Sequence, residues 1–288
     1  MTVSREVFGH RFRNPVLLAS GTAGYGRELA GVADLGALGG IVTKAVSLEP
    51  RAGNPAPRVA EFAGGMLNSV GLANPGLAAV RESELPWLLG RWPGLAVLVN
   101  VVGFTVDEYP AVVAGLAACE GVTAFELNLS CPNTSAGGIE FGADPALVAE
   151  IVTRCRRETA RPLVAKLSPA LPDIPAIAAA ACQAGAAGVS LVNTMPGMLA
   201  EDDGSPRLGQ GRGGVSGPPL LPIGVLACRL VAARLPGVPI IGVGGIRSAA
   251  DARQYLRAGA TLVAIGTAGL ADPRLPERVA RDLEQARG

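Results

Sequence analysis

Phe125-Glu126-Leu127-Asn128-Leu129-Ser130-Cys131-Pro132-Asn133 opens as an apolar strand and closes in a run of Asn, Ser, Cys and Asn. In a parallel barrel, a strand that finishes this way delivers polar groups to the face where chemistry is done. The stretch continues into Thr134-Ser135-Ala136-Gly137-Gly138. A thiol between two carboxamides in a Gly-containing loop reads as a lid carrying a proton-transfer residue. Taken alone, Cys131 reads more readily as a buried, inert thiol beneath a polar turn, the commoner fate of a lone cysteine. The rest of the chain decides between the two.

Working outward, eight short apolar runs have strand character: Val16–Ala19, Gly40–Thr43, Ala96–Val101, Ala124–Leu127, Leu163–Leu167, Gly188–Val192, Pro239–Val243 and Leu262–Ile265. Most are separated by amphipathic segments such as Pro145–Thr159, Ile174–Ala184, Leu220–Arg234 and Ala249–Ala258, which often begin at Asp-Pro, Pro or Ser. Strand–helix alternation repeated eight times predicts a parallel α/β fold, a (β/α)8 TIM barrel with inserted loops at its C-terminal face. No domain boundary is visible, so residues 1–288 are expected to form a single barrel domain. Two insertions, Glu49–Gly94 and Met198–Gly217, exceed the minimal repeat. The second has a polar hairpin-like core at Glu201-Asp202-Asp203-Gly204-Ser205. Long loops of this kind are binding loops or surface decoration.

Composition narrows the function. The 288 residues are 49% hydrophobic but only 4% aromatic, so Ala, Val, Leu and Ile must pack one large core. Net charge is +1, which argues against a nucleic-acid surface or a basic membrane patch. Cys119, Cys131, Cys155, Cys182 and Cys228 are too widely spaced for a zinc site or an iron–sulfur cluster, and no metal is expected. An odd cysteine count, an N-terminus without a secretory apolar region and no membrane-length apolar run predict a cytoplasmic protein.

Polar or small residues follow nearly every strand: Ser20-Gly21, Lys44, Asn100, Asn128, Lys166-Leu167-Ser168, Asn193-Thr194, Gly244-Gly245 and Gly266-Thr267. In a barrel they converge on one rim. Gly244-Gly245 after strand seven and Gly266-Thr267 after strand eight predict a phosphate site made of backbone N–H groups. Lys44 and Lys166 facing one pocket point to an anionic ligand, or to an electron-rich ring that gains charge; the alternative is a rim salt bridge, with Glu126 as partner. Asn68, Asn128, Asn133 and Asn193 offer the paired donor and acceptor that an amide- or imide-bearing ring requires. As turn formers, the alternative fits Asn133 and Asn74 best. His10, the single histidine, sits near the N-terminus, which removes Ser-His-Asp and Cys-His mechanisms and leaves general-base work to Cys131.

These motifs together resemble the class 1 dihydroorotate dehydrogenases. The matching stretches run nearly end to end: Ala19-Ser20-Gly21-Thr22, Thr43-Lys44-Ala45, Asn54-Pro55-Ala56-Pro57-Arg58, Asn68-Ser69-Val70-Gly71-Leu72, Glu126 to Asn133, Lys166-Leu167-Ser168-Pro169, Val192-Asn193-Thr194, Gly214-Val215-Ser216-Gly217-Pro218, Gly242 to Ile246 and Ala264 to Ala268. The resemblance implies an FMN-containing barrel that oxidises (S)-dihydroorotate to orotate. Carried over residue by residue, Cys131 would remove the C5 proton while C6 passes a hydride to flavin N5. Lys44, Asn68, Ser69, Val70, Gly71, Leu72, Asn128, Asn133, Asn193 and Thr194 would hold the substrate. Ser20, Lys44, Ala45, Asn100, Asn128, Lys166, Val192, Gly217, Gly244, Gly245, Gly266 and Thr267 would bind FMN.

Cys at the base position, where class 2 enzymes carry Ser, points to class 1. Gly137 to Pro145 resembles the 1B subclass, whose catalytic subunit pairs with an FAD/2Fe–2S subunit that passes electrons to NAD. A homodimer core within a heterotetramer is therefore expected. Tyr25, where Phe is expected, and Pro196 in Met195-Pro196-Gly197-Met198 depart from the pattern. A fumarate-linked or other-acceptor relative, a pyrimidine flavin reductase on the same barrel, and a phosphate-ligand-binding barrel without redox chemistry are the alternatives.

Overall fold

The computed structural model of the protein describes residues 4–130 and 141–285. A hairpin of β1 (Arg5–Val7) and β2 (His10–Phe12) leads into β3 (Val16–Leu18) and β4 (Gly40–Val42). An inserted hairpin, β5 (Val59–Phe62) and β6 (Gly65–Asn68), precedes β7 (Ala96–Val101), β8 (Val122–Asn128), β9 (Leu163–Leu167) and β10 (Gly188–Leu191). Then come the short β11 (Met195–Gly197) and β12 (Gly213–Ser216), followed by β13 (Ile240–Val243) and β14 (Leu262–Ile265). Eight of these, β3, β4, β7, β8, β9, β10, β13 and β14, close into a barrel in chain order. Every neighbouring pair in it is parallel. The barrel and its strands are those the sequence predicts, with ends displaced by no more than two residues.

Helices cover the outside: α1 (Gly76–Ala79) and α2 (Leu85–Arg91), joined by a π turn, then α3 (Glu108–Leu116), α4 (Pro145–Glu158), α5 (Ile174–Gln183), α6 (Leu220–Arg234), α7 (Ala249–Arg257), α8 (Thr267–Ala271) and α9 (Leu275–Gln285). Their starts follow from local chemistry. Asp144 accepts from the Ala146 N–H at 2.8 Å, with Pro145 in the first turn. Asp173 accepts from Ala176 N–H at 3.0 Å and Ser248 from Asp251 N–H at 3.2 Å. Each cap satisfies a donor that the first helical turn cannot.

Strand periodicity sorts the core into two shells. Val97, Val99, Phe125 and Leu127 face outward into a large cluster with Val112, Val113, Val148 and Ile151 of α3 and α4. Leu17, Leu98, Ala124, Val164, Ile241 and Leu262 face inward, and Val7 and Phe12 of the N-terminal hairpin join them. That hairpin plugs the N-terminal end of the barrel. Continuing the period of two upward, Leu98 is followed by Asn100, Ala124 by Glu126 and Asn128, and Val164 by Lys166. The interior therefore changes from apolar to polar just below the C-terminal rim.

The two insertions are not independent loops. β11, β12, β6 and β5 form one antiparallel sheet in that order, with Gly214 opposite Asn68, Val215 opposite Leu67 and Ser216 opposite Met66. The polar hairpin expected at residues 201–205 is present: Glu201 N–H donates to Ser205 O at 2.8 Å, and Ala200 bridges Pro206. Pro196 lies in the outer strand β11, where a missing N–H is tolerated. Tyr25 is buried and its hydroxyl donates to Ala45 O at 3.1 Å.

Candidate active site at the C-terminal rim

Four adjacent strands contribute a buried polar layer to the barrel interior. Asn100 and Glu126 are cross-strand partners, and the Asn100 amide donates to Glu126 Oε1 at 2.7 Å. Lys166 Nζ lies 3.7 Å from the same oxygen. Ser190, opposite Lys166 in register, completes the layer. Asn100 and Ser190 are fully buried, Glu126 is 2% exposed and Lys166 7%. The Lys166–Glu126 pair expected as an alternative therefore exists, but inside the barrel rather than on its surface rim. There it does not exclude a ligand role for Lys166. Two acceptors in this layer, Asn100 Oδ1 and Ser190 Oγ, have no hydrogen-bond partner among the described residues. Buried polar atoms in native proteins are rarely left that way.

One step further out, Asn128 ends β8 and accepts from the Asn193 amide at 3.2 Å. Tyr109 OH donates to Asn128 O at 2.8 Å and fixes the strand end. Val192 N–H donates to Val243 O and Asn193 N–H to Leu167 O, each at 2.9 Å, so the loop after β10 is tied to both neighbouring strands. Thr194 N–H returns to Asn193 Oδ1 at 2.9 Å. Asn68 donates to Gly214 O at 3.2 Å, and Gly214 packs so closely on Thr194 that a methyl there would sit 2.0 Å from its Oγ1. The inserted sheet thus brings Asn68 from the first insertion beside Thr194. Lys44 follows β4 and is half-buried, and no ion-pair partner faces it among the described residues. Ser20 and Ala45 stand after β3 and β4 at the same rim.

Ser69 to Leu72 is held from behind by the Asn54–Arg58 segment. Asn54 donates to Ser69 Oγ at 2.8 Å and its N–H to Val70 O at 3.1 Å. Arg58 donates to Asn54 O at 2.6 Å and Ala52 O at 2.9 Å. Asn74 is a loop clamp, as expected: it accepts from Ser47 and Gly76 N–H and donates to Ser47 Oγ and Leu72 O.

The glycines after β13 form a cradle with the start of α6. A methyl on Gly245 would lie 2.7 Å from Leu221 N and 3.0 Å from Gly217 O, and one on Gly244 would lie 3.0 Å from Leu220 Cβ. Only a residue without a side chain lets these backbones meet. Tyr255, fully buried on α7, donates to Val243 O at 3.0 Å and Gly244 O at 2.8 Å. Burial, helped by Cys228 and Asp251, pushes its phenol far above the usual range, so it remains a donor. On the neighbouring strand end, Gly266 and Thr267 begin α8, and Thr267 donates to Ser216 Oγ at 2.8 Å.

Cys131 and Asn133 lie outside the described residues. Their flanks are anchored: Gly142 N–H donates to Leu129 O at 2.8 Å, and Phe141 packs edge-on against Tyr109 at 5.6 Å. His10 lies on the barrel's plugged end against Phe12, opposite the rim. Among the described residues no cluster of His, Cys, Asp or Glu is suited to a metal ion. No described helix is long and apolar enough to cross a membrane.

The residues fit FMN. Orphaned Asn100 Oδ1 or Ser190 Oγ can accept from the N–H of a heteroaromatic imide, Lys44 and Lys166 can donate to its carbonyls, and the glycine turn after β13 exposes backbone N–H groups without side chains, as a phosphate requires.

Comparison with known proteins gives the family. Residues 2–286 match the family described as "Dihydroorotate dehydrogenase". A Citrifermentans bemidjiense protein named "Dihydroorotate dehydrogenase B (NAD(+)), catalytic subunit" is 43% identical over 98% of this chain and 92% of its own length. A Desulforudis audaxviator protein of the same name is 46% identical over 97% of this chain and 90% of its own. A Solibacter usitatus protein named "Putative dihydroorotate dehydrogenase A (fumarate)" is 47% identical over 98% and 92%. With matches of this length and a rim built as described, the chain belongs to the dihydroorotate dehydrogenase family, whose members are flavin-dependent oxidoreductases.

Proposed function

We propose that the chain uses FMN to oxidise (S)-dihydroorotate to orotate in pyrimidine biosynthesis, and that residues 1–288 act as one cytoplasmic FMN-binding domain. The observation that carries the reading is the buried Asn100–Glu126–Lys166 layer, with its unpaired acceptor, directly below the Asn128–Asn193 pair. A barrel needing only a packed core would place apolar residues there.

In this reading Gly217, Gly244, Gly245, Gly266 and Thr267 hold the FMN phosphate. Ser20, Lys44, Ala45, Asn100, Asn128, Lys166 and Val192 hold the ring system. Bound FMN supplies a two-electron acceptor for the hydride that leaves C6. Cys131 takes the C5 proton as its thiolate and becomes a thiol, while the C5–C6 double bond forms. Asn68, Asn128, Asn133 and Asn193 pair with the substrate's ring amides, and Lys44 faces its carboxylate. Ser69, Val70, Gly71, Leu72 and Thr194 complete the substrate side. A free thiol has an ordinary pKa of about 8.5, and it is the thiolate that accepts the proton. Lys166 offsets negative charge gathered on the ring system.

Electrons leave through a partner subunit carrying FAD and a 2Fe–2S cluster to NAD, with a homodimer of this chain at the centre of a heterotetramer. The names of the Citrifermentans and Desulforudis relatives support this acceptor. The name of the Solibacter relative supports a second reading, fumarate. The test is orotate formation by the purified chain with FMN, dihydroorotate and an artificial dye acceptor, then with NAD or fumarate instead. Dye-linked turnover that fails with NAD alone supports the partner-dependent route. Turnover with fumarate supports the second reading. No orotate under any condition refutes both.

A further inference from the structure

We infer that Glu126 is a positioning residue for electron uptake: from inside the barrel it holds the Asn100 amide in one orientation and offsets the Lys166 charge, which sets how readily the bound flavin is reduced. The inference rests on the reading of the rim as a flavin site.

Glu126 is the one acidic group in the buried layer of Asn100, Lys166 and Ser190, with Ala124 below it, Asn100 opposite it on one side and Val164 on the other. Burying a carboxylate costs several kcal/mol even when it is paired, and an apolar residue of similar size often serves the fold as well. The contacts it makes all lead to the proposed ligand side. An ionised carboxylate only accepts. Asn100 must therefore turn its amide nitrogen toward Glu126 Oε1, at 2.7 Å, and its carbonyl oxygen away. That oxygen is the buried acceptor with no partner among the described residues. Glu126 thus dictates that Asn100 presents an acceptor, not a donor, to whatever binds above it.

The same oxygen lies 3.7 Å from Lys166 Nζ, and both side chains are almost fully buried. Two electrons arriving on the ring add negative charge, which Lys166 alone would favour strongly. A buried counter-charge weakens that pull, because few water dipoles screen the pair. Glu126 thereby keeps the reduced state from becoming a trap and lets electrons pass onward.

The test is the flavin midpoint potential of the FMN-loaded full chain, measured by dye-coupled chemical reduction without dihydroorotate. Glu126→Gln removes the charge and frees the Asn100 amide to turn. It is expected to shift the reduction equilibrium toward the reduced form by at least about tenfold, about 30 mV more positive for a two-electron couple. Glu126→Asp, which keeps the charge but withdraws it by one methylene, is expected to shift it the same way by less, and carries the test should the Gln variant not fold. A purely structural role would lower thermal stability and leave the potential where it was. A potential equal to wild type in either folded variant overturns the inference while leaving the flavin reading intact. A wild-type chain that takes up no FMN overturns both.

Discussion

Gly245→Ala isolates the phosphate cradle. Gly245 has φ near +71°, a left-handed conformation that costs an L-residue about 1–2 kcal/mol. Its new methyl would lie 2.7 Å from Leu221 N, 2.8 Å from Leu221 Cβ and 3.0 Å from Gly217 O. Two of these are backbone atoms and none can rotate aside, so the loop must retreat from α6 at a further cost of about 1–3 kcal/mol. The total of roughly 2–5 kcal/mol divides between folding and ligand binding, because the groups pushed apart are those proposed to hold the phosphate. If about 1.4 kcal/mol falls on binding, FMN affinity drops about tenfold. The control is Gly237→Ala, where φ is +85° but nothing lies within 4 Å of the added methyl. It carries the backbone strain without the collision and should lower stability while leaving FMN binding unchanged. Apoprotein is titrated with FMN by flavin fluorescence quenching, and both variants are unfolded in urea. Gly245→Ala binding FMN as tightly as Gly237→Ala would refute the placement of the phosphate.

Three further outcomes are expected. Cys131→Ser should slow dihydroorotate turnover by roughly 100- to 10,000-fold near neutral pH while FMN still binds, since a hydroxyl is a poorer base; undiminished turnover would remove Cys131 from the mechanism. Tyr255→Phe removes the phenolic donor of the Gly244 carbonyl, while Val243 O keeps the Val192 N–H, and should cost about 1–3 kcal/mol in urea unfolding. Burial pushes the Cys155 and Cys228 thiols up to about 12. Folding therefore retains protons that the unfolded chain releases above about 8.5; the stability they contribute is complete below that pH and is lost as pH climbs toward about 12. Urea unfolding at about pH 8 and about pH 10 should show a smaller alkaline loss for Cys228→Ala than for wild type, by up to about 1.4 kcal/mol per pH unit.

The barrel is legible in the sequence because its strands are buried on both faces and read as unbroken apolar runs between helices with ordinary caps. Asn128 and Lys166 are legible for the complementary reason: they break an apolar period where a surface residue has no cause to be. The four-stranded inserted sheet is not legible. β11 contains Pro196, β12 contains Gly213 and Gly214, and the pairing of Asn68 with Gly214 spans 146 residues. Local propensity opposes those strands, and only the juxtaposition of two rim loops creates them. The N-terminal hairpin escapes notice because Val7 and Phe12 are its few buried side chains among charged neighbours. Glu126 reads from sequence only as a partner for Lys166; its grip on Asn100 needs the strand register. The bracing of Ser69 by Asn54, and of the Gly244 loop by Tyr255, likewise depends on three-dimensional closeness between elements whose spacing announces nothing.

The central claim is that the rim binds a flavin which dihydroorotate reduces. An anaerobic absorption spectrum of the purified, FMN-loaded chain, taken before and after adding dihydroorotate, tests it most directly. A yellow protein that bleaches on addition, and yields orotate, is the predicted result. A protein that retains FMN but stays yellow with dihydroorotate would contradict the proposed substrate, and one that takes up no FMN would contradict the site itself.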